Sequence, residues 1–229
     1  MKIGVPNRFV DEQILAYLRE HGFKLAEKTA RKYLIKCKKP RCTIYLLNPM
    51  ILPELVEEGL LDLAIIQSVD FSETQTFAVP LLQLDTPHAR LMLGVKKSIP
   101  LAPLQQLPIK TVLTRTPVLT KQFLEKNKLK WKTRTIRGPA ESVASLFGKN
   151  FAVVEYVRSG KTMELNELVP VTEVASSVIV MITHPNKVHS PEIKKIRKLL
   201  VSPSGRQSPQ PDESSEVIIY SKPVSSVSR

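Results

Sequence analysis

The chain has 229 residues, 42% of them hydrophobic, enough for a substantial core and for one large or two small domains. Its formal charge of +13 favours anionic partners (nucleic acid, acidic lipid or a polyphosphate substrate), and charge alone does not choose among them. No apolar run approaches the ~20 residues of a membrane span. Met1–Pro6 starts a folded pattern with no apolar signal segment ahead of it, so the expectation is a soluble, cytoplasmic protein.

Along the chain, strand-like and helix-like segments alternate. "KIGV" reads as a short strand. "DEQILAYLREHGF" places Ile14, Leu15, Leu18 and Phe23 at helical spacing, with Asp11 as a cap and Gly22 as a stop. "CTIYLL" is a second strand, "MILPELVEEG" a short helix ending at Gly59, and "LDLAII" a buried strand. A second cycle follows "LDTPHAR". Its strands are "LMLGV", "IKTVLT", "KWKTRTI" and "FAVVEYV", and its helices are "PVLTKQFLEKN" and "PAESVASLF". "SSVIVMI" is a further buried strand. "SPEIKKIRKLL" is a helix with a serine cap and a proline at its first position.

This order predicts an α/β protein of two lobes with mostly parallel sheets and a central cleft, a usual place for a ligand. The expected lobes are residues 1–88 with 176–202, and residues 89–175. Residues 203–229 are rich in Ser, Pro and polar side chains and are expected to be a disordered tail.

Few residues suggest chemistry. Cys37 and Cys42 flank a basic turn and read as free thiols, and no histidine near them in sequence completes a zinc site. His21, His88, His184 and His189 are scattered and sit in no nucleophile motif. The basic stretches "EKTARKYLIKCKKPR" and "KNKLKWKTRTIR", with Trp131 available to stack, invite comparison with nucleic-acid binders. Lys alternates with apolar residues there as on a solvated strand face, and no nucleic-acid fold signature is present.

The informative stretch is "VVEYVRSGKTM", residues 153–163. Its Ser-Gly-Lys-Thr looks like the end of a triphosphate loop, but the first glycine of such a loop would fall on Glu155. What remains is a strand ending near Glu155, a turn of Arg158, Ser159, Gly160, Lys161 and Thr162, and then a helix. Successive backbone N–H groups and the two hydroxyls of such a turn suit one monophosphate. Glu155 is placed to accept hydrogen bonds from sugar hydroxyls beside it. The alternative is an ordinary strand-to-helix turn with solvated Lys and Arg.

"FAVVEYVRSGKTMELNEL" resembles the phosphoribosyl pyrophosphate loop of ATP phosphoribosyltransferases, Asp-x-Ile-Val-Asp followed by Thr-Gly-x-Thr. Glu155 stands at the second acid, and Ser159, Gly160 and Thr162 stand in the turn. "MKIGVPNRFVDEQILAYLREHGF", "LPELVEEGLLDLAIIQSVD", "LTRTPVLTKQFLEKNKL" and "GPAES" are similar to further segments of that family, in the same order over about 200 residues. The resemblance implies a two-lobed fold like that of type II periplasmic binding proteins. It also implies transfer of a phosphoribosyl group to ATP, releasing pyrophosphate, with Mg²⁺, in the first step of histidine biosynthesis. It is to the short form, which works with a histidyl-tRNA-synthetase-like regulatory partner in an oligomer. It makes Glu155 the catalytic carboxylate. The substrate-binding candidates are Arg158, Ser159, Gly160, Lys161 and Thr162, with Arg8, Arg115 and Lys121 reaching phosphates from elsewhere, and no protein metal ligand is singled out.

The chain also departs from the family. Lys-Gly-Arg-Leu becomes Pro6-Asn7-Arg8-Phe9, and Arg-x-x-Asp-Ile-Pro becomes Asn48-Pro49-Met50-Ile51-Leu52-Pro53. The Gly of the family's "DLGI" strand is Ala64, its Gly-Lys-Asp is replaced around Gln67-Ser68-Val69-Asp70, and the first acid of the ribose motif is Phe151. A phosphoribosyl- or nucleotide-binding protein of the same fold that has lost turnover is therefore the second expectation.

Overall fold

The computed structural model describes residues 1–7, 10–27, 33–86, 89–157 and 160–201. The expected tail at 203–229 and the candidates Arg8, Arg158 and Ser159 lie outside the described residues. In chain order the elements are β1 (Lys2–Pro6), α1 (Asp11–Glu20), β2 (Leu34–Cys37), β3 (Cys42–Leu47), α2 (Leu52–Glu57), β4 (Leu63–Gln67), α3 (Ser68–Ser72) and β5 (Val79–Gln83). These are followed by β6 (Ala89–Lys96), β7 (Thr111–Thr114), α4 (Pro117–Lys126), β8 (Lys132–Thr135), β9 (Phe151–Val157), α5 (Lys161–Leu165), β10 (Leu168–Ser177), β11 (Ile179–Thr183) and α6 (Pro191–Leu200).

They build two mixed sheets, ordered β2-β3-β1-β4-β11-β5 and β10-β6-β9-β7-β8. The expectation of mostly parallel sheets is corrected in detail. β1 with β3, β1 with β4, β7 with β8 and β7 with β9 run parallel. The other five pairings are antiparallel. Antiparallel pairing follows where β2 turns directly into β3, and where β5 leads to β6 and β10 to β11 with no helix between them as the chain passes from one sheet to the other.

The central strands of the first sheet are buried on both faces, which explains why their sequences run apolar without alternation. On one face Ile14, Leu15 and Leu18 of α1 and Ile193, Ile196 and Leu200 of α6 pack with Ile3, Val5 and Ile44. On the other, Leu52 and Val56 of α2 pack with Ala64, Ile66 and Ile182. Gly4 sets that second distance, since a Cβ there would lie 2.5 Å from Leu52 Cδ2 and 2.7 Å from Leu61 Cδ1. The second sheet has the same layering, with Leu93, Val112, Leu124 and Val154 on one side and Leu113, Phe151, Val153 and Met163 on the other. Phe151 is thus a core residue where the resembled family carries an acid.

Local signals were read unevenly. Gly22 takes a left-handed φ of 84° after α1, and Ser190 Oγ accepts the Ile193 amide at 3.3 Å, as expected of a stop and a cap. Asp11 is not the cap of α1. Val10 holds that position, and Asp11 Oδ1 accepts the Glu12 amide at 2.9 Å. β2 lies in the stretch whose Lys and apolar alternation suggests a solvated strand face, whereas β5 and β10 carry no such signal. β10 is half exposed and has irregular register around Pro170/Thr172 and Glu173/Ala175, which breaks the alternation a strand normally shows. "PAESVASLF" forms a 3₁₀ segment, Ala140–Leu146, rather than an α-helix. "SSVIVMI" is divided: Ser177 ends β10 and Ile179 begins β11. Cys37 and Cys42 face each other across the β2–β3 hairpin as buried free thiols, and burial pushes Cys42 up to about 12. Among the described residues no helix is long and apolar enough to cross a membrane.

Asp62 ties three strands together. Its Oδ2 accepts the Lys2 amide at 2.8 Å, its Oδ1 pairs with Lys187 Nζ at 2.7 Å, and its carbonyl accepts the Thr183 hydroxyl at 2.7 Å. Burial pushes this carboxyl up, but Lys187 and the Lys2 amide more than offset that and hold it below its ordinary value. A depressed folded-state pKa gives stability that is present above the unfolded value of ~3.9 and is lost as pH falls through the folded one. Asp62→Asn is therefore expected to cost about 1 kcal/mol in urea unfolding at pH 7, with the gap to the native protein closing by pH 3.

Candidate functional site

Parallel pairing of β7 with β9 determines the site. Thr114 lies opposite Val154, so the next residues, Arg115 just past the end of β7 and Glu155 two residues before the end of β9, stand side by side near the carboxyl ends of their strands. Ligands of open α/β sheets bind at such ends. Arg115 Nη2 donates to Glu155 Oε1 at 2.6 Å. The carboxylate is 3% exposed, and its Oε2 accepts the Ala140 amide at 2.7 Å, which anchors the 3₁₀ segment Ala140–Leu146 on the same spot. Burial works against the charge of Arg115, and Glu155 overrides it, keeping the guanidinium firmly protonated. The guanidinium also lies 5.8 Å from the centre of the Tyr156 ring.

Three further carboxyls surround this pair. Glu141, 9% exposed, follows Ala140, and its buried Oε2 makes no hydrogen bond among the described residues. Burial pushes its carboxyl up, and the neighbouring Glu155 carboxylate adds to the effect. Asp70, in α3 of the first sheet's half, accepts the Tyr156 hydroxyl at 3.0 Å. Glu73, just beyond α3, accepts the Val118 amide at 3.0 Å and the Leu119 amide at 2.9 Å at the start of α4. Burial raises both Asp70 and Glu73, with the Tyr156 hydroxyl and the two amides as partial offsets.

The turn that carries Arg115 is fixed internally. Thr114 Oγ1 accepts the Thr116 amide at 2.9 Å and the Thr120 hydroxyl at 2.9 Å, and it lies 3.1 Å from Thr116 Oγ1. All three threonines are buried. At the other turn, Gly160 takes φ 79° immediately before α5, a backbone region that favours glycine. A Cβ there would meet nothing within 4 Å, so what the glycine supplies is the positive φ rather than clearance.

The structure thus brings Arg115 and Glu155 together. Gly160 lies at the end of the same strand β9. Lys161 and Thr162 are exposed in the first turn of α5, with the Thr162 carbonyl accepting the Asn166 amide side chain at 2.8 Å. Lys121 stands apart, exposed in the second turn of α4 and 3.9 Å from Glu125. Sequence reasoning missed Tyr156, Asp70 and Glu73 as members of the site. The one available signal was an acidic residue on a helical turn directly after buried β4, a position facing the cleft. Among the described residues no cluster of three or more His, Cys, Asp or Glu side chains is placed to hold a metal.

Known proteins share this sequence pattern and fold. Residues 48–202 match the family model described as ATP phosphoribosyltransferase. The chain is 27% identical to the ATP phosphoribosyltransferase of Sulfurisphaera tokodaii, over 90% of this chain and 72% of that protein. It is 29% identical to that of Bacteroides thetaiotaomicron, over 83% of this chain and 66% of that protein. In fold it is similar to an ATP phosphoribosyl transferase (HisG:HisZ) complex from Thermotoga maritima, with a TM-score of 0.67 at 18% identity over 87% of this chain and 94% of the other. A periplasmic substrate-binding protein of an ABC transporter from Coxiella burnetii shares the fold more distantly, with a TM-score of 0.51 at 13% identity over 89% of this chain and 92% of the other. The two-sheet α/β architecture is that of the type II periplasmic-binding-protein-like class. The chain belongs to the ATP phosphoribosyltransferase family, the pentosyltransferases of the first step of histidine biosynthesis.

Proposed function

We propose that this protein joins ATP to phosphoribosyl pyrophosphate in the cleft at the ends of β7 and β9, giving phosphoribosyl-ATP and pyrophosphate. The observation that carries the reading is the left-handed Gly160, immediately before α5 in the turn whose sequence resembles the family's phosphoribosyl loop. Ser159, Gly160 and Thr162 hold the 5′-phosphate there, with Arg158 and Lys161 adding positive charge. Adenine N1 attacks the ribose C1 as pyrophosphate leaves through an oxocarbenium-like state. The protein's part is to align the two substrates and to balance developing charge.

Glu155 has a double role in this reading. Without substrate its oxygens are held by Arg115 and the Ala140 amide. With substrate, Arg115 turns to the pyrophosphate, and Glu155 Oε1 takes a ribose hydroxyl in its place. Lys121 and Arg8 contribute at longer range. Mg²⁺, when bound, neutralises phosphate charge. The donor set suits an ion held mainly by substrate phosphates, with the unpartnered Oε2 of Glu141 as the protein oxygen it would use. We assign residues 1–88 with 176–202 to one lobe and 89–175 to the other. We also place the protein in the cytoplasm, in an oligomer with a histidyl-tRNA-synthetase-like regulatory subunit. The fold it shares with the HisG:HisZ complex supports that partner. A binding protein without turnover is the less favoured reading, because both the family model and the relatives are those of the enzyme.

The direct test is formation of phosphoribosyl-ATP from the two substrates with Mg²⁺, with and without the regulatory subunit. Folded protein that gives no product in either condition, yet binds phosphoribosyl pyrophosphate by calorimetry, would point to the binding protein instead. Gly160→Val is expected to weaken phosphoribosyl pyrophosphate binding more than tenfold, about 1.4 kcal/mol, because a β-branched residue resists the positive φ. Glu155→Gln should lower turnover and leave inorganic phosphate affinity nearly unchanged, and Lys161→Ala should cost little. The opposite ranking, with Lys161 indispensable and Gly160 replaceable, would return the turn to a triphosphate loop.

Arg115→Met keeps much of the side-chain volume and strands the buried Glu155 carboxylate. Breaking a pair of which one partner is a third exposed should cost about 1–3 kcal/mol in denaturant unfolding. Adding Glu155→Gln should recover part of that stability without restoring turnover.

A further inference from the structure

The N-terminus of α4 is capped by the other half of the molecule. A helix leaves its first amides without internal partners, and a side chain close in sequence usually serves them. Here Thr116, the residue at the cap, makes no such bond because its hydroxyl lies against Thr114 Oγ1. Pro117 has no N–H to satisfy, and the first turn contains no acidic residue. The two remaining donors, Val118 and Leu119, both go to Glu73, 45 and 46 residues away in sequence and attached to the first sheet. Three residues before Glu73, Asp70 receives the Tyr156 hydroxyl from β9. Residues three apart on a helical turn share a face, so one short element reaches the second half of the molecule at these two polar points, and Val69 beside them is buried in the second core.

We propose that Asp70 and Glu73 form a latch across the cleft, in which Glu73 caps α4 in trans and Asp70 takes the Tyr156 hydroxyl, and that entry of a ligand between the halves requires its release. A cap supplied from within a lobe stabilises its helix wherever the lobes stand. A cap supplied across the cleft makes the completeness of α4 depend on the lobes being together. Separation leaves Val118, Leu119, Asp70, Glu73 and Tyr156 to be hydrated and uncovers Val69, so the latch biases the molecule toward engaged lobes without locking it. The inference rests on this geometry and not on the chemistry assigned to the site.

The test measures the distance between spin labels on Glu58→Cys and Lys126→Cys, both exposed positions on opposite halves, in the full chain whose native thiols are buried. The unaltered latch should give one narrow distribution. Glu73→Ala should add a longer distance and shift the ratio of open to engaged forms at least tenfold, with Glu73→Gln and Tyr156→Phe giving smaller shifts. Val118→Asp in the Glu73→Ala background returns a local acidic residue to α4 and should leave the molecule open. If Glu73→Ala speeds amide exchange at Val118 and Leu119 while the distance distribution stays unchanged, Glu73 is only a cap and the latch is overturned. Recovery of the narrow distribution by Val118→Asp overturns it equally. Should circular dichroism show Glu73→Ala to be unfolded, Glu73→Gln and Tyr156→Phe carry the same comparison.

Discussion

A carboxylate buried at the end of β9 needs hydrogen-bond donors, and the site is arranged around supplying them to Glu155. Arg115 arrives because β7 runs parallel to β9 in a register that places Thr114 beside Val154. The Ala140 amide arrives because the 3₁₀ segment folds over the same strand end. Losing either donor leaves a desolvated charge, which costs more than the bond itself contributes. The single requirement of satisfying Glu155 therefore fixes the β7 turn, the 3₁₀ segment and the end of β9 relative to one another. Pre-arranged charge of this kind is what transfer of a phosphoribosyl group asks of a protein, since the reaction needs no covalent help.

The charge distribution adds a constraint. The chain carries +13 overall, yet Asp70, Glu141 and Glu155 all lie near the one guanidinium of Arg115, with Glu73 beside Asp70. Two substrates rich in phosphate are repelled by carboxylates at such a centre. Burial raises Asp70, Glu73 and Glu141 above their ordinary values, and the Tyr156 hydroxyl and the Val118 and Leu119 amides occupy the first two. Positive charge at the phosphates must come from the rim and from the ion that travels with them. The long-range field of the chain then serves to gather anions, while the interior sets their orientation.

The legible part of the fold was the part whose burial is two-sided. β1, β4, β9 and β11 run apolar because both faces are covered, and α1 and α6 repeat at helical spacing because one face meets the core. β10 was hidden because its faces are half wet and Pro170 and Glu173 interrupt it. β2 and β5 lie at sheet edges, where exposed Leu34 and Pro80 blur the pattern. Within the site, Gly160 was visible through a motif whose backbone demand survives divergence. The partners of Glu155 were not, because they depend on strand register, which sequence spacing does not express.

The same reasoning explains why departures from the family's pattern leave the fold intact. The glycine of the family's "DLGI" strand is Ala64 here, and it sits fully buried against Leu52 and Ile182, so a close approach has been exchanged for packing. Phe151 has replaced an acid and joined Val153 and Met163 in the second core, with Lys96 Nζ 5.3 Å from its ring centre. Ala64 adds a methyl group to the core and Phe151 a ring, and buried apolar surface is worth roughly 25 cal/mol per Å². What could not be exchanged in this way is a group held by several donors at once. Glu155 accepts from Arg115, Ala140 and its neighbour Tyr156, and replacing it would leave three donors unsatisfied in a buried site. Glu155 is thus the residue on which the arrangement of this strand end depends, whereas Phe151, at the other end of β9, fills the core.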